Sequence, residues 1–251
     1  MPANSPADVA LAKSKWPKIL RPLTESQQQI NDDFVKVWHE ALPRYQSIER
    51  FNHGWVARHA PAGFRRTLEI GAGLGEHLRH ETLTAEQEAG YVSLELRPEM
   101  AAEIAKRFPA VQTLIGDCQK ALPFSAGYFD RILAIHVLEH LPNLPATIRE
   151  MHRLCNKQRG VFQVVIPCEG GTLYSLCRRV SAQRIFEKRY GQPYEWFIGR
   201  EHINLPHEIQ EELGRYFSVR GRRAFFPFVV PGVFCNLCIA MNLAPKPQVE
   251  A

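Results

Sequence analysis

At 251 residues, 45% of them hydrophobic and 23% charged, the chain can bury one sizeable core and has the balance of a soluble globular protein, which excludes disordered and fibrous classes. A formal net charge of +5 does not demand a nucleic-acid partner; it says only that an anionic partner is electrostatically welcome. Six cysteines without framework spacing, behind an N-terminus (MPANSPADVA) that lacks an apolar signal core, predict free thiols and a cytoplasmic setting.

Residues 1–23 read as a basic flexible arm carrying Lys13, Lys15, Lys18 and Arg21 among prolines and small residues. Residues 24–63 read as N-terminal helices. Thr24 and Gln27 have capping-box spacing, and Ile30, Phe34, Trp38 and Leu42 recur every four residues on one helical face, continued by Ile48, Phe51 and Trp55. This face either packs on the domain that follows or forms a lid over a substrate.

Residues 64–243 carry the main domain. Short apolar runs (TLEI, YVSLE, VQTLIGD, FDRILAI, VFQVVI) alternate with amphipathic stretches, which predicts parallel strands joined by crossover helices. One such helix opens at Pro98, and another carries Leu144, Ile148, Met151 and Leu154. The alternation lapses into a basic, aromatic insertion over 168–200, before a final helix near Ile209 to Leu213. In the insertion Arg178, Arg179, Arg184, Lys188 and Arg189 are interleaved with Tyr190, Tyr194, Trp196 and Phe197, a pattern that suits either an anionic acceptor or ordinary packing beneath a solvated face.

The uncharged run Ala224 to Leu243 is about as long as a membrane span, but Pro227 and Pro231 would break such a helix. Pro231-Gly232 instead marks a turn between two buried strands, so no transmembrane segment is expected, while peripheral membrane contact stays open. Residues 244–251 read as a tail.

The chemistry concentrates in TLEIGAGLGEHL, Thr67 to Leu78, at the junction of the first strand and its helix. Gly71 suits a tight turn, and Gly73 and Gly75 let a ligand and the next helix approach the main chain. About twenty residues on, Glu95 ends the second strand, where an acid can accept hydrogen bonds from ribose hydroxyls. Asp117, ending the third strand in LIGDC, offers an acceptor to an adenine amino group.

These residues resemble the class I S-adenosylmethionine-dependent methyltransferases, in particular the small-molecule branch related to ubiquinone-biosynthesis methyltransferases. The resemblance rests on LEIGAGLGEHL, SLELRPEM, GDCQKALPFSAGYFDRILAIHVLEHL and VFQVVIP, about residues 64 to 168. It implies an α/β, Rossmann-like sheet of seven strands, mostly parallel with an antiparallel last strand, plus the N-terminal helices and the helical, aromatic insertion. It also implies that Glu69 and the loop of Gly71, Ala72, Gly73 and Gly75 hold the methionine part of S-adenosylmethionine. Glu95, with Leu96 beside it, binds the ribose, Asp117 and the backbone at Cys118 read the adenine, and His136 lies beside the cofactor.

Three rival readings are weighed against this one. A nicotinamide dinucleotide would also use Glu95, but GAGLG lacks the third glycine of GxGxxG, and Glu76 at that position would face a pyrophosphate. A sulfonium has no phosphate to repel. HVLEH, 136 to 140, matches an inverted zinc-protease pattern with Glu139 as base, yet a strand runs straight into it and Leu141-Pro142 ends any helix, so local loop structure is expected. Cys235 and Cys238 in CNLC fall on opposite faces of a strand without a second pair, which predicts structural thiols, and no metal is expected.

Methyl transfer is an in-line displacement in which alignment and water exclusion matter most. For a hydroxyl acceptor the candidate base is His202 in REHINLP, with His136 and then His207 behind it. The expected activity is O-methylation of a small-molecule or lipid-linked acceptor, such as a sugar, lipid or secondary metabolite, that is anionic in one version. The alternatives are RNA methylation and a non-catalytic cofactor- or partner-binding role.

Overall fold

The structure, a computed structural model, describes residues 15–247. Helices α1 (Glu25–Ala41) and α2 (Gln46–Arg58) lead in. The cap on α1 is reciprocal, as the spacing predicts: Gln27 N–H donates to Thr24 Oγ1 at 3.2 Å and Thr24 N–H to Gln27 Oε1 at 3.1 Å. Ile30, Phe34 and Trp38 do share one packing face, while Lys13 and the Leu42 side chain lie outside the described residues.

Five strands follow with their crossovers: β1 (Thr67–Ile70), α3 (Ala85–Ala89), β2 (Tyr91–Glu95), α4 (Pro98–Arg107), β3 (Gln112–Ile115), β4 (Arg131–Ile135), α5 (Leu144–Leu154) and β5 (Val161–Pro167). Next come α6 (Thr172–Arg178), α7 (Arg184–Tyr190), α8 (Glu195–Glu201), α9 (Pro206–Tyr216), β6 (Phe217–Val219), β7 (Ala224–Phe226) and β8 (Cys238–Pro245). The sheet order is β3-β2-β1-β4-β5-β8-β6, with β7 also paired to β8. β1 to β5 are parallel, and β8 runs antiparallel to β5. β6 and β7 meet opposite ends of β8, so these two short strands share one edge position and the eight strands fill seven places, a Rossmann-like sheet with an antiparallel strand near the C-terminus.

Strand alternation builds the layers. Leu68, Ile70, Ile132, Ala134, Phe162 and Val164 face α5 and α9 through Ile148, Met151, Ile209 and Leu213. Tyr91, Leu133, Ile135 and Val165 face Trp55 and Val56 of α2 and Ile104 of α4. A third cluster, Phe34, Ala182, Phe186, Tyr194 and Phe197, joins α1 to the insertion. The N-terminal aromatics thus pack on the chain that follows, and the insertion's aromatics are spent on the same contact.

Four expectations are corrected. Lys15 and Lys18 do not belong to a solvated arm: they reach Glu208 at 3.0 and 2.7 Å, and Lys18 N–H donates to Pro142 O at 2.9 Å. The glycine loop leads into a short 3-10 turn, His77–His80, rather than a full helix, because the only capping box in this crossover is at Thr84, where α3 starts. The run from Ala224 splits earlier than expected: β7 stops at Phe226, and Phe228, Val229 and Val230 are exposed in a long loop. The tail starts later, since β8 extends to Pro245 and Lys246 N–H bonds Tyr216 O. Among the described residues no helix is long and apolar enough to cross a membrane.

At the amino-terminal edge of the sheet sits a buried charge network. Arg131, fully buried, donates from Nη2 to Glu81 Oε1 at 2.7 Å and from Nε to Gln163 Oε1 at 2.7 Å, and lies over the Phe64 ring. His77 Nε2 stands 2.6 Å from the same Glu81 oxygen. Burial pushes His77 down to about 4, so it stays neutral. Burial alone would raise Glu81, but the bond from His77 and the Arg131 charge hold it at about 2.

Both shifts are depressions, so both destabilise the fold on acidification: the unfolded chain takes up the His77 proton between pH 6.5 and about 4, and the Glu81 proton between pH 4.5 and about 2. Arg131→Leu strands Glu81 and is expected to lower stability by roughly 3–5 kcal/mol, with Arg131→Leu/Glu81→Leu recovering part of the loss. Urea unfolding at pH 7 and pH 5 checks both: wild type loses stability at the lower pH, and equal losses in the single and double variants would contradict the assignment.

Candidate functional site

In a parallel sheet the carboxyl ends of the strands share one edge, and a crevice opens where the order reverses, here between β1 and β4. Three glycines carry the chain out of β1, all in the left-handed region, with φ of 62°, 59° and 76° at Gly71, Gly73 and Gly75. A β-carbon on Gly71 would stand 2.6 Å from Val137 Cγ2, and one on Gly75 would stand 2.8 Å from Phe108 Cε2. The loop is thereby clamped between the turn after β4 and the end of α4. Ala72 N–H returns to Leu94 O at 3.2 Å.

Glu95 closes this loop. Its Oε2 accepts Gly73 N–H at 2.9 Å and its Oε1 accepts Arg97 N–H at 3.0 Å. Next to it Leu96 is 64% exposed, and Ile115, paired with Glu95 in the sheet, is 62% exposed. Two large apolar side chains left open beside an acid offer a surface on which a flat ring can stack. Asp117 Oδ1 accepts Gln119 N–H at 2.9 Å, and Cys118 is buried, its thiol pushed up to about 12 by burial, which leaves its backbone as the useful group.

Glu69 sits one residue inside β1, 3% exposed, on the apolar layer that holds Leu133 and Tyr91. Burial drives its pKa up to about 8 even though the Tyr91 hydroxyl donates to Oε2 at 2.7 Å. A carboxyl held neutral at the base of a crevice ionises when a cation arrives beside it.

After β4 the chain makes a sharp bend: His136 has φ 54°, and Leu138–His140 forms one 3-10 turn. His136 and His140 are therefore not on one helix, as the loop expectation held. Glu139, fully buried, holds His136 Nδ1 at 3.1 Å, and His136 Nε2 lies 3.8 Å from Cys238 Sγ. Burial opposes a charged His136, but Cys238 and Glu139 favour it and raise it well above the ordinary histidine range. His202, at the end of α8, comes in against this turn: its Nδ1 meets Glu169 Oε2 at 2.9 Å, and its ring stands edge-on to His140 at 5.2 Å. Asn204 staples the turn, donating from Nδ2 to Leu138 O at 2.7 Å and to Leu141 O at 2.8 Å.

Glu69, Gly71, Ala72, Gly73, Gly75, Glu95, Leu96, Asp117, Cys118 and His136 thus stand at or beside adjoining strand ends, with His202 beyond β4 and β5. His207 is exposed in the first turn of α9. Cys235 lies in the loop before β8 and only Cys238 begins the strand, so the two thiols do not share a strand as expected; all six cysteines are free. The insertion does not gather its cations around a ligand: Arg178 pairs with Glu169, Arg189 with Asp33 at 3.0 Å, and Arg179, Arg184 and Lys188 are exposed. Sequence reading missed Glu169, Glu201 and Asn204, whose partners are far away in the chain and leave no local spacing to read.

Residues 68–162 match the family model described as a methyltransferase domain. No curated protein matches the chain in sequence. Among solved structures, a S-adenosylmethionine-dependent methyltransferase from Thermotoga maritima is similar at 17% identity and TM-score 0.59, covering 85% of this chain and 97% of its own. A TehB-like S-adenosylmethionine-dependent methyltransferase from Corynebacterium glutamicum is similar at 14% identity and TM-score 0.57, covering 86% and 98%. A Pyrococcus horikoshii protein is similar at 16% identity and TM-score 0.58, covering 80% and 91%. Residues 68–162 thus carry a methyltransferase domain, the solved structures share the fold, and S-adenosylmethionine is the cofactor they indicate. The buried neutral carboxyl, the glycine cradle and the exposed Leu96 suit a cofactor with one cationic end and one flat ring.

The Gly71 clamp is testable. Gly71→Ala puts a side chain at φ 62° and 2.6 Å from Val137, so it is expected to cost about 2 kcal/mol or more in chemical denaturation and to weaken cofactor binding. Unchanged stability would show that the loop tolerates a wider spacing from β4.

Proposed function

We propose that the protein transfers a methyl group from S-adenosylmethionine to a hydroxyl of a small-molecule or lipid-linked acceptor. The cofactor supplies the electrophilic methyl group and a sulfonium leaving group. The chain's own residues bind, orient and shield. Glu69 and the Gly71–Gly75 loop face the methionine end, Glu95 releases Gly73 N–H to take ribose hydroxyls, and Leu96, Asp117 and the Cys118 backbone form the adenine side.

The observation that carries the choice of oxygen is the histidine–glutamate cluster beside the crevice. A hydroxyl must lose its proton as it attacks, and His202, steered by Glu169, is the imidazole placed to draw it off. His136, whose charged form its neighbours favour, already carries the proton a base would have to accept, and serves as an electrostatic guide instead. Support for an apolar or lipid-linked acceptor comes from exposed apolar side chains: Phe228, Val230 and Phe234 in the β7–β8 loop and Leu176 and Val180 in the insertion, two segments tied together where Leu173 N–H donates to Phe234 O at 3.1 Å. Free thiols throughout suit a reducing compartment such as the cytoplasm.

Calorimetric titration with S-adenosylmethionine at pH 7 tests the cofactor half. Because Glu69 is protonated up to about pH 8, binding a cationic ligand beside it is expected to release up to one proton, read as a buffer-dependent enthalpy that Glu69→Gln removes. A buffer-independent enthalpy in wild type would move Glu69 out of the cofactor site. For the acceptor half, a screen of hydroxylated sugars, lipids and secondary metabolites is expected to yield a product whose rate falls about 10²–10⁴-fold in His202→Ala. Product on RNA alone, or cofactor binding without any product, would overturn the hydroxyl reading.

A further inference from the structure

Glu139, His140 and His202 offer one ligand atom each, and these atoms all lie within 4.8 Å of one another. Three features distinguish the group from a chance cluster. Glu139 Oε1 is engaged by His136, but Oε2 is fully buried and has no hydrogen-bond partner. An orphaned buried carboxylate oxygen is costly unless something positive reaches it. A carboxylate stands behind each histidine: Glu169 Oε2 is hydrogen-bonded to His202 Nδ1 at 2.9 Å, and Glu201 Oε2 lies 3.4 Å from His140 Nδ1, within ion-pair distance but outside hydrogen-bond geometry. His140 Nε2 is turned toward Glu139, 3.9 Å from Oε1. The bond to Glu169 fixes the His202 ring and strengthens its inner nitrogen as a ligand, an arrangement that recurs around metal-bound histidines, and Glu201 is placed to do the same for His140 as the set closes.

We infer that Glu139 Oε2, His140 Nε2 and His202 Nε2 form a binding site for a divalent first-row transition ion, with Glu169 and Glu201 supporting the two imidazoles. Two imidazoles and one carboxylate favour such an ion over magnesium or calcium, which take oxygen ligands. Ligands on one ion at about 2.1 Å stand about 3–3.4 Å apart, so closing the set calls for rotation of the part-exposed His140 and His202 imidazoles toward the buried Glu139. His136 is not a ligand, since its Nδ1 is bound to Glu139 and its Nε2 faces Cys238. The set differs from the zinc reading of His136 with His140 in that its third ligand comes from the residue that follows α8.

This inference rests on the hydroxyl-transfer reading and deepens it. Three protein ligands leave the ion open positions, and an acceptor hydroxyl bound there is acidified by the ion. The O–H bond then breaks to release a proton to solvent, the oxygen forms a bond to the methyl carbon, and the carbon–sulfur bond breaks with its electron pair going to sulfur. His202 acts as a ligand in this scheme rather than as the proton acceptor.

The test is a titration of chelator-treated full-length protein with Co²⁺, followed by visible absorption, and with Zn²⁺ in competition. Wild type is expected to bind one ion per chain, with Co²⁺ bands displaced by Zn²⁺ and insensitive to excess Mg²⁺. His202→Ala and Glu139→Gln are expected to weaken binding at least tenfold, and Glu169→Gln about 10–100-fold, while the surface variant His80→Asn binds as wild type. S-adenosylhomocysteine binding by metal-free protein reports folding and the cofactor site separately, and His202→Gln replaces His202→Ala should the latter lose that binding. No saturable Co²⁺ binding by wild type that still binds S-adenosylhomocysteine, or unchanged affinity in His202→Ala and Glu139→Gln, would overturn the site and leave the methyltransferase assignment standing.

Discussion

The crevice depends on one spacing, that between the loop leaving β1 and the turn leaving β4. Hydrogen bonding in the sheet puts Ile70 beside Leu94 on one side and Ala134 on the other, so both turns emerge at the same height. Val137 then reaches across to residue 71, and only the absence of a β-carbon there lets the two turns meet. Gly73 and Gly75 continue the left-handed path, which turns their backbone groups outward and lets Glu95 collect the Gly73 N–H. A bulkier residue at 71 would push the β4 turn away, and with it Glu139 and the group of side chains that Glu139 organises.

The same sheet buries acids at both ends with opposite results. Glu81, at the amino edge, has Arg131 and His77 within 2.7 Å and stays ionised. Glu69, on the crevice side, has a hydroxyl for company and apolar strands around it, so desolvation wins and it stays neutral. The difference is whether folding supplies a countercharge. At Glu81 it does, and the network ties the crossover turn to β4 and β5. At Glu69 it does not, and burial leaves the carboxyl protonated up to about 8.

Local patterns made the framework legible. The period-two apolar runs, the Thr24–Gln27 spacing and the proline at the head of α4 each act within a few residues, and each appears where the pattern puts it. The glycines were legible as necessary, though not for the right neighbour: Gly75 makes room for Phe108 of the later crossover rather than for a helix of its own. Lys18 with Glu208, His202 with Glu169 and Asn204 with the turn after β4 were not legible, because their partners are 190, 33 and more than 60 residues away. A lysine among prolines looks like a tail until the fold brings a carboxylate to it. The uncharged run after Ala224 misled in the other direction: lack of charge suggested burial, but its middle lies on the surface.

That exposure bears on what the insertion contributes. Phe34 of α1 sits among Phe186, Tyr190, Tyr194 and Phe197 at ring separations of 5.0 to 6.2 Å, so the aromatics that seemed free to embrace a ligand are committed to holding α1 against α7 and α8. This packing fixes α8, and α8 delivers Glu201 and His202 to the turn after β4. Through these aromatics the insertion sets the position of the turn after β4. By contrast Phe228, Val229, Val230 and Phe234 of the β7–β8 loop, and Leu176 and Val180 of the insertion, stay exposed among the described residues. Position in the fold, not hydrophobicity alone, decides which of these apolar side chains are buried.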